Sequence, residues 1–431
     1  MFTLEYFTTG RWRWFWRLLP VLETVALLVL YRGAHRYAAP EFGGPEPFEN
    51  HRAAMEILDH GTTAMTFHAT GYSYLVALAY VLLPRTPNSM LMVQGVMLVP
   101  TVWAIEQLAL KFGGERVRQI SLVLAGLYYP FAYYAATFTS VFPAAVFATL
   151  ACAFLLPLLE KWDLKYALAC GASLGVAVCC RPNLGGLGIV FVIAIFLASR
   201  SIPQTLLRAA PIGVLSLLFL ATMTFFNPPE PGQFVRGSQA MNRSLLEGTY
   251  QFEDRWWDWE ALNDPKVIAP FWDHAHRLEA ESGKPLEDPA TQLLARRDAW
   301  ARMRANPAGV VKKAAISAVR LWIFMPSHSK SMAVKVLITV QEALLLLLAL
   351  FGLRTMFREK KPWVLATGVL LIPTLTHILM HVEARYSLPG RGVEVALMAV
   401  GIAALFPSRV KKPAEAAVAP PAAAVEPVQA P

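Results

Sequence analysis

The chain has 431 residues, 55% of them hydrophobic and only 16% charged, with a mean hydropathy of +0.42. Soluble domains carry about 25% charged residues, so this composition excludes an ordinary soluble globular protein. The net charge of +9 does not point to nucleic acid. Lys and Arg gather in short segments between long apolar runs, as cytoplasmic loops of membrane proteins do.

In chain order, Arg11, Arg13 and Arg17 precede the first apolar run at 21–30, and no small-residue cleavage site follows it. That predicts a membrane anchor with a cytoplasmic N-terminus, not a removed signal. A polar stretch follows at 38–67. It opens with a Pro/Gly segment at 40–47 and predicts a short amphipathic helix over 50–60, with Ala54, Met55, Ile57 and Leu58 on its apolar side. Further apolar runs lie at 89–110, 142–159, 166–180, 184–198 and 212–226. A second polar region begins at Asn227 and holds Trp256, Trp257, Trp259 and Trp272, the aromatic density of a membrane interface or a sugar-binding surface. After Pro307 comes a two-sided helix. Lys313, Ser317 and Arg320 share one face, and Val311, Ala315, Ala318 and Trp322 share the other, which suits a helix lying along the interface. The runs 334–353, 363–380 and 393–406 complete the apolar set, and the Ala/Pro-rich tail from Pro413 predicts disorder.

The charge pattern orients these spans. Arg200 and Arg208, then Arg354, Arg358, Lys360 and Lys361, then Arg409, Lys411 and Lys412 mark cytoplasmic turns. The Arg181-Pro182 turn, the 227–331 segment and the 383–389 turn then share the external side. A strict count puts 227–331 on the wrong side, so one segment before about residue 140 does not cross; 72–83 is short, and 127–137 is interrupted by Pro130. The expectation is an all-α polytopic membrane protein of about 10–12 spans. Its parts are an N-terminal membrane module at 1–226 with its first external loop at 38–67, an external Trp-rich segment and interfacial helix at 227–331, C-terminal spans at 332–407, and a tail at 408–431.

No phosphate-cradling glycine loop, HExxH pair or serine elbow occurs. Chemistry is therefore sought among ionisable residues at span edges on the external side. Glu49 opens the short helix; it reads either as an acid complementing the helix dipole or as a general base, with Glu46 and Asp59 as alternatives. Arg181 either snorkels to the interface or contacts a phosphate or carboxylate. Arg385, two residues after Glu383, suits a phosphate partner. His377 and His381 stand i, i+4, a spacing compatible with a divalent metal and equally with interfacial hydrogen bonding; no metal ligand set is assigned. His274 and His276 are a weaker pair. Cys152, Cys170, Cys179 and Cys180 lie in apolar runs without metal spacing and read as packing.

Several separated stretches share one order. Phe48-Glu49-Asn50 through Asp59-His60-Gly61 gives an acid, a helix and a Gly, and Gly71-Tyr72-Ser73-Tyr74-Leu75 starts an aromatic helix. Cys180-Arg181-Pro182-Asn183 makes an Arg-Pro turn. Phe234-Val235-Arg236-Gly237-Ser238 leads to Leu246-Glu247-Gly248-Thr249. Met303-Arg304-Ala305-Asn306-Pro307 precedes Lys312 and Lys313, and Arg385-Tyr386-Ser387-Leu388-Pro389 closes the series. This order resembles the GT-C superfamily of membrane glycosyltransferases, most closely the bacterial branch that includes protein mannosyltransferase-like and aminoarabinose transferase-like enzymes. It covers most of residues 10–407. The chain departs from the pattern in having Glu49 where Asp is common, Ser73 in place of Pro, and no carboxylate between Arg116 and Glu160.

The resemblance implies a GT-C fold in a bacterial cytoplasmic (inner) membrane, with the active site on the periplasmic or extracellular side. It implies inverting transfer of a sugar from a polyprenyl-phosphate donor to a lipid, glycan or protein acceptor. In that reading Glu49 is the catalytic base, Arg385, Arg181, Lys312 and Lys313 bind the donor phosphate, and Tyr386, His381, Trp256 and Trp257 contact substrate. No cofactor is assigned and metal dependence stays open. The rival reading is a transporter or lipid-linked-sugar flippase, which would place polar residues deep inside spans; the charges here sit mainly at the edges.

Overall fold

The computed structural model describes residues 4–30, 45–63, 69–228, 240–250, 265–286, 288–323 and 332–407. Trp256, Trp257 and the 408–431 tail lie outside the described residues. Every regular element among those described is helical, as expected where the backbone must satisfy its own hydrogen bonds in lipid.

The N-terminal part runs through α1 (Leu4–Thr8), α2 (Gly10–Leu30), α3 (Pro45–His60), α4 (Gly71–Leu82), α5 (Pro87–Gly113), α6 (Glu115–Leu127), α7 (Tyr129–Ala135), α8 (Val141–Glu160), α9 (Leu164–Cys180), α10 (Gly186–Ser199) and α11 (Ile202–Phe226). A separate group follows, made of α12 (Ala240–Tyr250), α13 (Pro265–Ser282), α14 (Pro289–Ala305) and α15 (Pro307–Arg320). The chain returns through α16 (Met332–Arg358), α17 (Trp363–His377), a 3-10 turn at Ala384–Ser387 and α18 (Leu388–Leu405).

Among the described residues, six helical segments are long and apolar enough to cross a membrane: Pro87–Gly113, Val141–Glu160, Pro182–Ser199, Ile202–Phe226, Val336–Arg358 and Ala384–Leu405. α8 and α18 form the centre and are largely buried, whereas α11 and α16 turn most of their apolar surface outward, toward lipid. α16 and α18 approach backbone to backbone. Gly352 lies against the Leu397 carbonyl and Gly401 against the Leu348 carbonyl, with no room for a Cβ at either position.

The early chain bears on the topological conflict. α4 starts beside α3, where Ser73 Oγ donates to Asn50 Oδ1 at 3.0 Å, and it ends beside α3, where the Tyr80 hydroxyl meets His51 Nδ1 at 2.8 Å. Just beyond it Arg85 pairs with Asp59 at 3.3 Å. At 12 residues α4 is shorter than the about 20 that a span needs. α6 and α7 follow one another with a break at Tyr128, and Ala135 O at the end of α7 accepts from Gln94 Nε2 at 2.9 Å, beside Tyr72 of α4.

One other expectation changes. The first-loop helix begins at Pro45, not at residue 50, because proline is tolerated in a first turn; Glu49 therefore lies within the helix. α15 is two-sided as expected. Lys313, Ser317 and Arg320 are buried, while Val311 and Val319 are exposed and Trp322, just past the helix, is buried. Its polar face is turned into the protein, as befits a helix whose surroundings are lipid-like.

Charges also occur inside the bundle. Glu106 of α5 is buried and receives both Arg13 (3.0 Å) and Arg17 of α2. Glu342 of α16, Arg391 and Glu394 of α18 form a second buried set. The expectation that charges keep to span edges fails at these positions. They survive burial because each faces an opposite charge. The four cysteines are free and buried, in line with packing.

Candidate functional site

The site gathers where α9 and α17 end and α12 and α15 pass close to the Ala384–Ser387 turn. α9 stops at Arg181, whose N–H closes the helix on Ala177 O at 2.8 Å, and Pro182 follows. α17 stops at His377. The chain then turns through 378–383 into the 3-10 turn, which presents Arg385 and Tyr386.

Tyr386 is the hub. The Arg181 guanidinium lies 5.0 Å and the Arg385 guanidinium 5.3 Å from its ring centre. His377 stacks on the same ring at 4.7 Å, and His381 meets it edge-on at 6.4 Å. Two cations over one aromatic ring concentrate positive charge in a small volume, the electrostatic requirement of an anion site.

Glu383 and His381 organise this charge. Arg385 Nε lies 2.6 Å from Glu383 Oε2, and Arg385 Nη2 donates to Glu383 Oε1 at 3.0 Å. His381 Nε2 lies 3.0 Å from Glu383 Oε1, and its Nδ1 lies 3.3 Å from Glu247 Oε1 on α12. Burial opposes charge on His381, but Glu247 and Glu383 outweigh it and hold the imidazole pKa above its ordinary value. Burial likewise opposes charge on Glu383, yet Arg385 and His381 keep its carboxyl far below the usual range. The backbone completes the joint to α12: His381 N–H donates to Ser244 O at 2.9 Å, and Gly248 lies against the 379–380 backbone, where a Cβ would not fit.

Lys313 approaches from α15. It is 1% exposed, and its Nζ donates to Met380 O at 2.5 Å and Ile378 O at 3.3 Å. Burial pushes its ammonium down to about 7, with Glu247 opposing the shift. Lys312, one residue earlier, faces outward and is exposed, since adjacent helical residues diverge by about 100°.

Glu49 enters from a different direction. It is half-buried on α3. Asn50, beside it, binds Ser73, and Gly71 on the same turn of α4 packs against the Cys179 backbone, two residues before Arg181. α3 is thereby fixed on the side that carries Arg181 and Arg385. Asp59, an alternative base, is instead half-exposed and paired with Arg85.

Of the predicted residues, the structure draws Arg181, Arg385, Tyr386 and His381 into direct contact and places Lys313 behind them on the 378–380 carbonyls. Among the described residues no group of three or more His, Cys, Asp or Glu side chains could hold a metal. His377 Nδ1 faces Pro373 O at 2.9 Å.

Sequence reasoning missed three groups. Glu247 stood in a quoted stretch but without a role, because its partner His381 is more than a hundred residues away. Glu342, Arg391 and Glu394 were visible as charges inside apolar runs. His274 was noticed only as half of a pair with His276, but it bridges the Tyr250 hydroxyl (2.6 Å) and Asp298 Oδ2 (3.0 Å), joining α12, α13 and α14.

No protein-family model matches the chain, and no curated protein matches it by sequence. The likeness to solved structures lies in the fold. The Archaeoglobus fulgidus oligosaccharyltransferase in the apo form matches with a TM-score of 0.55 at 13% identity, over 93% of this chain and 51% of its own. The same enzyme tethered to an acceptor peptide containing the NVT sequon also gives 0.55, at 14% identity, over 93% and 50%. ArnT from Cupriavidus metallidurans bound to undecaprenyl phosphate gives only 0.38 at 16% identity, over 81% and 73%, too low to support an argument. The chain therefore shares the all-helical fold of the Archaeoglobus fulgidus oligosaccharyltransferase. It spans about half the length of the oligosaccharyltransferase it matches.

Proposed function

We propose that this chain is an integral-membrane glycosyltransferase that takes a sugar from a polyprenyl-phosphate donor and passes it, with inversion, to a lipid, glycan or protein acceptor. The observation that carries the reading is the pair of guanidiniums, Arg181 and Arg385, over the single Tyr386 ring at the membrane edge. A polyprenyl-phosphate headgroup arriving from lipid brings an anion to that place, and arginine suits phosphate oxygens bidentately.

In the reaction, the acceptor oxygen attacks the anomeric carbon as the carbon–oxygen bond to phosphate breaks. The lipid phosphate leaves with the bonding electrons. Arg385 and Arg181 stabilise the charge that develops there, with Lys313 behind them and Lys312 at the outer face of α15. Glu49 takes the acceptor proton. Glu383, paired with Arg385, keeps the guanidinium oriented for the phosphate. Tyr386 and His381 line the donor side, and the segment containing Trp256 and Trp257 holds the acceptor. The compartment fitting this chemistry is the external face of a bacterial inner membrane, where nucleotide sugars are absent.

The test is transfer from polyprenyl-phosphate sugars in proteoliposomes. Glu49→Gln should lower turnover about 10²–10⁴-fold and Arg385→Ala about 10²–10³-fold, with unchanged unfolding midpoints. Near-normal turnover of Glu49→Gln would sink the base assignment. A transporter reading would replace this one if Arg385→Ala kept transfer but stopped translocation of the lipid-linked sugar.

A further inference from the structure

We infer that Arg391 is a positioning residue for the donor-phosphate turn: through Ser387 it sets the placement of Arg385 and Tyr386 without touching the donor. The inference rests on the proposed phosphate site.

Arg391 uses its whole guanidinium on four separate parts of the fold. Nε donates to Ser387 Oγ at 3.0 Å, inside the turn that carries Arg385 and Tyr386. Nη1 donates to Glu394 Oε2 at 2.7 Å on its own helix and lies 3.2 Å from Glu342 Oε2 on α16. Nη2 donates to the Trp322 carbonyl at 2.7 Å, two residues past the end of α15, the helix that holds Lys313. The guanidinium also sits 5.3 Å from the centre of the Trp322 ring, whose Nε1 donates to Thr374 Oγ1 of α17 at 2.9 Å. Ser387 passes the constraint on, since its Oγ donates to Ala384 O at 2.7 Å.

The arrangement is buried throughout: Arg391, Ser387, Glu342 and Glu394 are each at most 3% exposed. Buried charges are costly unless they face partners, and here both carboxylates face the Arg391 guanidinium. Lys could not reproduce this one. It offers three donors on a flexible stem, without the planar fork that reaches a hydroxyl, a carbonyl and two carboxylates together. The Ser387 hydroxyl is the group of the turn that Arg391 itself binds, and removing it leaves the ion pairs in place.

Ser387→Ala separates positioning from folding. Undecaprenyl phosphate serves as the binding probe in nanodiscs, and hydrogen exchange reports on residues 383–388. Ser387→Ala should weaken undecaprenyl phosphate about tenfold and speed exchange in that segment alone, with an unchanged unfolding midpoint. Ser387→Thr should restore both readouts. Arg391→Lys should act in the same direction and more strongly. Arg385→Ala is the control for the phosphate site. If it loses affinity while Ser387→Ala keeps both affinity and slow exchange, the positioning role is overturned and the phosphate site stands. If Ser387→Ala speeds exchange and weakens binding while Arg385→Ala binds normally, the role of Arg385 falls and the anchoring of the turn stands. If neither variant changes binding or exchange, both are overturned.

Discussion

The Arg181 guanidinium lies 5.0 Å from the centre of the Tyr386 ring, although 205 positions separate the two residues in sequence. Arg385 shares the same ring at 5.3 Å. The aromatic face, more than its hydroxyl, therefore holds two like charges close together. Tyr386→Phe should bind undecaprenyl phosphate nearly as the parent does. Tyr386→Leu should bind it at least about tenfold more weakly, since a cation–aromatic contact contributes on the order of 0.5–2 kcal/mol. Isothermal or native mass-spectrometric binding in nanodiscs would show the contrast, and equal loss in both variants would assign the effect to the hydroxyl.

His381 ties α12 to the donor turn through Glu247 and Glu383. Its folded pKa is raised above the unfolded value, so its stabilisation is complete below about 6.5 and is lost as pH rises through the higher folded value. The Glu383 carboxyl is depressed, so its own contribution is complete above the ordinary carboxylate range and is lost as pH falls from there through the depressed folded value. Hydrogen exchange in 240–250 should therefore quicken as pH is raised from about 6 to 9 after correction for intrinsic rates. His381→Gln should remove that dependence, and an unchanged pH profile in the variant would refute the tether.

Glu342 and Glu394 set two carboxylates against one guanidinium within the bundle, an excess of negative charge away from water. One neutral amide should therefore be tolerated. Glu342→Gln alone is expected to shift the unfolding midpoint only slightly. Glu342→Gln with Glu394→Gln leaves Arg391 buried without an acidic partner, and should cost about 3–5 kcal/mol. Additive small losses in a thermal-melt double-mutant cycle would contradict this.

The placement of α4 makes a topological claim. Thr86, just past its end and near the Arg85–Asp59 pair, is expected on the same side of the membrane as Arg181. The native cysteines are buried and should react slowly. A Thr86→Cys variant and an Arg85→Cys variant should label with a membrane-impermeant maleimide from the side that labels Asp288→Cys on the α12–α14 group. Labelling from the opposite side would show that 71–82 crosses.

Much of the fold was legible because the bilayer imposes a simple demand on sequence. Runs such as 142–159 and 212–226 had to be helical spans, and α8 and α11 occupy them. Periodicity found the two faces of α15, but not which one is inside. Hydrophobic patterning gives faces, and the surroundings decide which face is buried. Tyr72–Leu82 reads as apolar whether or not it crosses, and its contacts with α3 at both ends could not be read from that pattern. The Arg-Tyr-x-x-Pro stretch marked Arg385 and Tyr386 as candidates, yet their link to Arg181, Glu247 and Lys313 was hidden, because each pairing closes a loop of many residues.

The sequence by itself determined the class, the span-forming segments and the ionisable residues gathered at their edges, because composition and hydropathy follow directly from burial in lipid. Only the tertiary structure decided which charges face one another. It set Arg181 and Arg385 over one ring, turned Lys313 inward while Lys312 points out, and buried Arg391 beneath the turn. Those choices depend on helix ends meeting across the bundle, and long-range packing geometry is what a local pattern of residues does not encode.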